Sequence, residues 1–478
     1  MADIYIVYTA VDREVARRLH DVLTTRWAVW WDEQLVGSYP QYIEAEMRKA
    51  SCVVYVNSET ARDKDTIVGE LEIARKQKKP IIPVLIDDTE APYPLGTYSA
   101  VTLGAWTGDQ SLEGWKQLVI KISEVVAPRE KPPRPDTILE DRLRLPGLFM
   151  SVSSHETQLS PEDAISVAAA FRYPNVLLSA YDWDPGRLPG AGTSAAEQIA
   201  DHRAAALDAL RKAGSLILMD SGNYEASRRG DAQWTPKLFA AALARAPHDL
   251  ACSFDVMNPS RDPKAAFDEI VAGVHRDRAF TSAPIVPIVH APRLDAGGHD
   301  LEHFPILLRD LASELRPPLL AIPERELGPG LICRIKATMR IRAELDALPF
   351  YQPVHLLGTG NPWSIVTLTA AGADSFDGLE WCRVVVDRAS HRLNHFQHFD
   401  FFIDQSMNSP YEVTQAAVRS DDIHFAGKTA IHNLDYYAEI AALLQDACRR
   451  KALEALVTSL LHQANTRQLT QAVPDLFK

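Results

Sequence analysis

The sequence predicts an α/β protein in two blocks, a short doubly wound parallel sheet followed by a (β/α)8 barrel. Two observations lead there. Short β-rich apolar runs alternate with stretches of helical periodicity along most of the chain, the pattern of parallel strands joined by crossover helices. In addition, residues 127–136 read Ala-Pro-Arg-Glu-Lys-Pro-Pro-Arg-Pro-Asp. Four prolines there bar both a helix and a central strand, so the segment reads as a stiff linker. The expected division is residues 1–127, a linker over 128–138, and residues 139–478. A chain of 478 residues is too long for one ordinary domain.

Composition narrows the function classes. No apolar run reaches the ~18 residues of a membrane helix, and Met1-Ala2-Asp3 does not open a secretory signal. The five cysteines are far apart and form no Cys-x-x-Cys pair, which excludes a zinc ribbon or a disulfide framework. A cytoplasmic protein with no membrane partner is expected. With a net charge of −13, any nucleic-acid surface must be a local basic patch.

In the first block, Asp3–Thr9 is a β-rich run suited to a buried parallel strand. Val15, Leu19, Val22 and Leu23 follow at helical spacing, with Asp12 as the N-cap. Ala28-Val29-Trp30-Trp31 forms the next strand and runs into Asp32–Gly37. A helix over residues 40–50 precedes the strand Cys52–Val56, which ends in Asn57-Ser58. A helix carrying Glu70-Leu71-Glu72 leads to the strand Ile81–Ile86. Such β-α units form a flavodoxin-like sheet, which binds ligands at the carboxyl ends of its strands.

This order resembles a Toll/interleukin-1 receptor (TIR) domain across the whole block. Tyr8-Thr9 closes the opening strand, Trp30-Trp31-Asp32 and the Gly37 loop resemble the family's BB loop, and Asn57-Ser58 precedes a helix and then Lys-Pro-Ile-Ile-Pro-Val. The resemblance implies an NAD-cleaving site. The glutamate essential in catalytic members corresponds to Glu70, thirteen residues before Pro83. The family often has Trp four residues before this glutamate, where this chain has Thr66. NAD+ would be the substrate, with Tyr8, Thr9, Trp31 and Ser58 lining the pocket and Trp30 in the core. Breaking the nicotinamide–ribose bond develops oxocarbenium character, which a carboxylate near the ribose stabilises.

The second block carries polar residues where apolar runs end. These are Asp220-Ser221-Gly222-Asn223, Ser253-Phe254-Asp255, Pro323-Glu324-Arg325-Glu326, His355–Asn361 and Asp374-Ser375-Phe376-Asp377. Carboxyl ends of barrel strands are where active sites of that fold lie. The set resembles the tRNA-guanine transglycosylases over about residues 140–465, and Ile431-His432-Asn433-Leu434 is similar to that family's late helix. The resemblance implies Asp377 as nucleophile at a ribosyl C1′ and Asp220 as acid/base. It places Asp255 at the base, with Gly222 and Glu324 in the binding site. The target base would have to be unstacked to enter. The family's Cys-x-Cys-x-x-Cys zinc motif is absent, and Ile322-Pro323-Glu324 stands in place of its Gly-rich base-sensing strand. His391, His395 and His398 stand at helical spacing, as on one helix face; a surface histidine cluster is expected, and no metal site is assigned.

The combined expectation is a bacterial anti-phage sensor–effector. The barrel would sense a nucleic acid or nucleobase-like ligand, and the TIR domain would cleave NAD+ after homo-oligomerisation. The alternatives are base exchange on tRNA or DNA with the TIR domain as an assembly scaffold, and a structural adaptor with both sites inert.

Overall fold

A computed structural model describes residues 2–24, 26–32, 40–95, 100–109, 112–127, 131–155 and 157–477. The chain divides into two compact units, Met1–Pro132 and Pro133–Lys478. The expected loop around Gly37 lies outside the described residues.

In the first unit, strands β1 (Ile4–Val7), β2 (Val29–Trp30), β3 (Cys52–Asn57), β4 (Ile81–Leu85) and β5 (Val101–Thr102) form one sheet in the order β2-β1-β3-β4-β5. The pairings are parallel. Helices α1 (Arg13–Leu23), α2 (Pro40–Lys49), α3 (Asp65–Lys76) and α4 (Glu113–Val125) cover its faces. All six residues of β3 are buried, as a central strand covered on both sides requires. The two-residue period of a strand sends Ile4, Ile6 and Tyr8 into one core with Leu19, Leu23, Trp115 and Leu118. Tyr5 and Val7 go into the other, with Met47, Ile67 and Leu71. The strand order turns at β1 and β3, and the crevice of such a sheet opens at the carboxyl ends of those two strands.

In the second unit, a two-rung ladder of β6 (Thr137–Ile138) and β7 (Leu143–Arg144) precedes eight strands. These are β8 (Gly147–Val152), β9 (Asn175–Ser179), β10 (Leu216–Asp220), β11 (Leu250–Cys252), β12 (Ile285–Val286), β13 (Leu320–Pro323), β14 (Val354–Leu357) and β15 (Ser375–Gly378). From β8 to β12 and from β13 to β15 each strand pairs in parallel with the next, and β15 returns to β8. The chain just after β12 closes the ring on β13: Val289 N donates to Ala321 O at 2.9 Å and Ala321 N to Pro287 O at 2.9 Å. The result is the expected (β/α)8 barrel. Phe149, Leu177, Leu218, Cys252 and Ile288 fill its interior. The same alternation brings Ser151, Ser179, Asp220 and Asp377 inward one step further along their strands, so the interior turns polar towards the strands' carboxyl ends.

Three local expectations differ from the structure. The helix on which His391, His395 and His398 would share a face does not form. Strand β16 (Val384–Asp387) pairs antiparallel with β17 (Arg392–His395), and His391 occupies the turn between them at φ 57°. Asp12 holds the N-cap position of α1 but makes no side-chain cap bond. The helix expected to open at Ile431 begins at Phe425 and runs to Arg449.

The end of the proline-rich segment is part of the barrel. Arg134 Nε pairs with Asp374 Oδ1 at 2.6 Å, and Arg134 Nη2 donates to Ala373 O. Asp374 is fully buried and also accepts from Tyr351 Oη at 2.7 Å and Val354 N at 2.8 Å. Removing one partner of a buried pair strands the other charge, at about 3–5 kcal/mol. Asp374→Ala is therefore expected to destabilise the barrel unit by that amount in thermal or denaturant unfolding. A change below about 1 kcal/mol would show that the clamp is dispensable.

Candidate functional site

The amphipathic face of α3 packs Ile67, Leu71 and Ala74 against the sheet, which carries the neighbouring Glu70 to its edge over β1. Tyr5 Oη donates to Glu70 Oε2 at 3.3 Å. The Tyr5 ring stacks on Trp30, with centroids 4.5 Å apart. Burial pushes the Glu70 carboxyl up to about 7; the Tyr5 hydrogen bond pulls against this and the Asp32 charge adds to it.

The other expected pocket residues are arranged differently. Thr9 Oγ1 and Ser58 Oγ donate to Asp12 Oδ2 at 2.7 and 2.6 Å. Asp12 thereby ties the ends of β1 and β3 together. Tyr8 donates its hydroxyl to Asp32 O, and its ring leans on Trp31 at 5.6 Å. Tyr8 and Trp31 belong to the core on the opposite side of the sheet from Tyr5. Glu70 thus shares its face with Tyr5 and Trp30. The alternation along β1 was the signal that separates Tyr5 from Tyr8.

In the barrel, a cavity of about 260 Å³ opens among the strand ends. Asp220, Glu225 and Asp377 line it, with Ser151, Ser153, Ser179, Tyr224 and His290. The exposed Arg228 and Arg325, and the half-buried Arg383, line it as well. Asp377 Oδ2 accepts from Ser151 Oγ at 2.7 Å, and its Oδ1 accepts from Gly358 N at 2.9 Å with His355 Nε2 at 3.2 Å. Asp220 accepts from Gly222 N at 3.1 Å. Burial pushes the Asp220 carboxyl well up, and the charges of Glu225, Asp255 and Asp377 add to this. Gly222 has φ +79°, and a Cβ there would lie 2.6 Å from Tyr181 N. Only glycine fits this turn, which aims the start of α7 (Asn223–Arg229) at the cavity.

Asp255 and Glu324 do not line the cavity. Asp255 accepts from Asn223 Nδ2 at 2.6 Å and pairs with His290 Nε2 at 2.8 Å. The other ring nitrogen, His290 Nδ1, meets Glu326 Oε1 at 2.8 Å. Burial alone would lower the His290 imidazole, but the two carboxylates raise it to about 9. Glu324 pairs with Arg334 at 2.6 Å. Glu225 is a cavity group that reading by motif missed. Its two oxygens accept from Ser153 Oγ at 2.5 Å and Ser179 Oγ at 2.7 Å. Burial and the Asp182 charge push it up to about 7. No group of three or more His, Cys, Asp or Glu able to hold a metal ion occurs among the described residues.

Residues 4–119 match the family model described as TIR domain. The N-terminal unit is a TIR domain. No curated protein matches the chain. The TIR family includes NAD-cleaving enzymes, and a TIR domain supports a signalling or NAD-cleaving role in general. No helix among the described residues is long and apolar enough to cross a membrane.

The Glu70 shift has a measurable sign. A carboxyl raised from 4.5 to about 7 on folding binds more protons in the folded state across that interval. Its contribution to stability is fully present below the unfolded value and is lost as pH rises through the folded one. The loss is roughly 3 kcal/mol at most. Glu70→Gln is expected to remove it, so that the TIR domain of the variant, compared with wild type, loses less stability between pH 5 and pH 8. Parallel unfolding curves across that range would contradict the assigned burial.

Proposed function

We propose that this protein is a bacterial anti-phage sensor–effector. Its TIR domain hydrolyses NAD+ to ADP-ribose and nicotinamide, and its transglycosylase-like barrel binds the triggering nucleic acid or nucleobase-like ligand. The observation that carries the effector half is the half-buried Glu70 carboxyl, held by Tyr5 on one face of the sheet beside Trp30. Nicotinamide leaves as a neutral base from a cationic ring, so the site needs no strong acid. It needs negative charge beside the ribose as C1′ becomes electron-deficient, and an ionised Glu70 supplies that. The trigger half is supported by the cavity at the strand ends, where carboxylates lie inside and arginines approach from outside. Carboxylates accept from base N–H groups and arginines pair with phosphate. Homo-oligomers are the working form of the effector in this reading.

The deciding measurement is NAD+ consumption by the purified protein with and without tRNA, phage DNA or infected-cell lysate. Loss of NAD+ that requires an added trigger is expected, with Glu70→Ala lowering the rate by at least about a hundredfold, the scale on which one positioned electrostatic group acts. At NAD+ well below saturation the triggered rate is expected to rise with pH through about 7, as Glu70 of the free domain ionises. A Glu70→Ala protein as active as wild type would end the effector reading.

A second reading is favoured by one specific observation, that Asp220 and Asp377 line one cavity. The raised Asp220 suits a proton donor, and Asp377, held by Ser151 and Gly358, suits attack on a ribosyl C1′. The purine would leave protonated by Asp220, and an incoming base would displace the aspartyl ester. A covalent protein–nucleic acid adduct is expected on denaturing gels, lost in Asp377→Asn. Wild type without an adduct against RNA or DNA would remove the exchange reading and leave the barrel as a binding domain.

A further inference from the structure

The two oxygens of Asp377 have different surroundings. Oδ1 accepts from Gly358 N at 2.9 Å and meets His355 Nε2 at 3.2 Å, while Oδ2 accepts from Ser151 Oγ at 2.7 Å. Each carboxylate oxygen has two acceptor sites. Both sites of Oδ1 are taken, and Oδ2 keeps one. Asp377 lines the cavity, whereas His355 is fully buried behind it and does not. His355 stands in β14 opposite Ser375 of β15, and the strand period puts Ser375 and Asp377 on one face. The imidazole therefore bridges two inward groups of the neighbouring strand, with Nδ1 2.9 Å from Ser375 Oγ and Nε2 beside Asp377. The Phe149 ring meets it edge-on at 5.7 Å and offers no competing hydrogen bond.

We propose that His355 is a positioning residue for Asp377, a role that rests on the base-exchange reading of the barrel. Held by Ser375 in the tautomer with its proton on Nε2, His355 donates to Oδ1 and leaves Oδ2 as the oxygen that attacks a ribosyl C1′. An attacking carboxylate is ionised and only accepts. The Nε2 beside it must then carry the proton, and Nδ1 must accept from the Ser375 hydroxyl. As Oδ2 bonds to C1′, the bond from C1′ to the purine nitrogen breaks, and the purine leaves with the Asp220 proton. On return, an incoming guanine bonds to C1′ and gives its proton to Asp220, and the C1′–Oδ2 electron pair goes back to the carboxylate. The charge that reappears is shared with Oδ1, where the N–H groups of His355 and Gly358 stabilise it. His355 thus eases release of the ester. Its loss is expected to make the adduct longer-lived, whereas a merely structural loss would yield less adduct with the same lifetime.

Two measurements test this. Nitrogen-15 NMR of the full-length protein labelled at histidine, with His355 assigned by difference from His355→Gln, is expected to show its proton on Nε2. Separately, the adduct formed with labelled tRNA or single-stranded DNA is chased with free guanine, and its half-life is read on denaturing gels. His355→Leu is expected to lengthen that half-life by at least about tenfold, the worth of one hydrogen bond to a charged group. His355→Gln, which keeps an N–H near the place of Nε2, is expected to stay close to wild type. Ser375→Ala, which loosens the ring and leaves it in place, is expected to lengthen the half-life by less than His355→Leu. It carries the chase if His355→Leu does not fold. An unchanged half-life in both variants, or a proton on Nδ1 in wild type, overturns the role of His355 and leaves base exchange standing. Wild type that forms no adduct, or one that guanine does not displace, ends the exchange reading and this inference with it.

Discussion

A carboxylate taken out of water loses its hydration, at a cost of several kcal/mol, unless donors or a cation replace it. Both units bury carboxylates at the carboxyl ends of parallel strands, and how each is compensated sets what it can do. Asp12 receives the hydroxyls of Thr9 and Ser58. Asp377 receives Ser151 and Gly358, with His355 alongside. Asp255 and Glu326 share one protonated His290; at the opposite, amino end of β15, Asp374 has Arg134. In each of these the donors or the cation fix where the carboxylate lies. Glu70, with one phenol, and Asp220, with one backbone N–H, receive less, and burial drives both upwards. Glu225 is raised too, despite its two serine hydroxyls, because burial and the Asp182 charge outweigh them; the balance of burial against donors sets which carboxyl is ready to exchange a proton.

Parallel topology explains why these groups meet. In a sheet whose strands all run one way, every carboxyl end lies at the same edge, and in a closed barrel these ends converge on a single mouth. Apolar residues such as Leu216 and Leu218 fill the inward positions low on a strand. Extending the alternation by two residues brings Asp220 to the mouth with no change in backbone. The serines follow the same rule. Phe149 fills the interior and Ser151 meets Asp377, while Leu177 fills it and Ser179 meets Glu225. Local sequence chooses the chemistry, and strand period chooses the place.

Much of this was legible in the sequence, and the parts that were not share a cause. The doubly wound first block and the barrel follow from apolar periodicity, while Glu70, Asp220 and Asp377 are singled out as site residues by the resemblance of ordered motifs alone; both are local signals. Partners brought from far along the chain carry no local signal. Arg134 reads as linker because its partner Asp374 lies 240 residues away. The pairing of Asp255 with His290 spans 35 residues. Spacing also misled where two periods compete. His391, His395 and His398 fit a helix, but β-branched and extended-favouring residues in Val384–Asp387 make a hairpin whose turn consumes His391. Trp30 and Trp31 look equivalent in sequence, yet one strand position sends Trp30 to Tyr5 and Trp31 to Tyr8.

The thermodynamics of Glu70 bind substrate recognition to chemistry. Its carboxyl is held up because burial withholds the hydrogen bonds that would stabilise its charge. A ligand diol that donates to Glu70 supplies those bonds, so diol binding favours ionisation and ionisation favours diol binding by the same factor. An NAD+ ribose adds the positive charge of its nicotinamide ring, which lowers the carboxyl further. In the proposed NAD+-cleaving reading, the negative charge at Glu70 is therefore largest when the ribose is in place, and smallest in the free domain. A carboxylate already holding two hydroxyls of its own protein, as Asp12 does, would gain less from a bound sugar. The sparse environment of Glu70 leaves room for donors from a ligand, as the proposed reading requires, where the Asp12 carboxylate on the same sheet already holds the Thr9 and Ser58 hydroxyls.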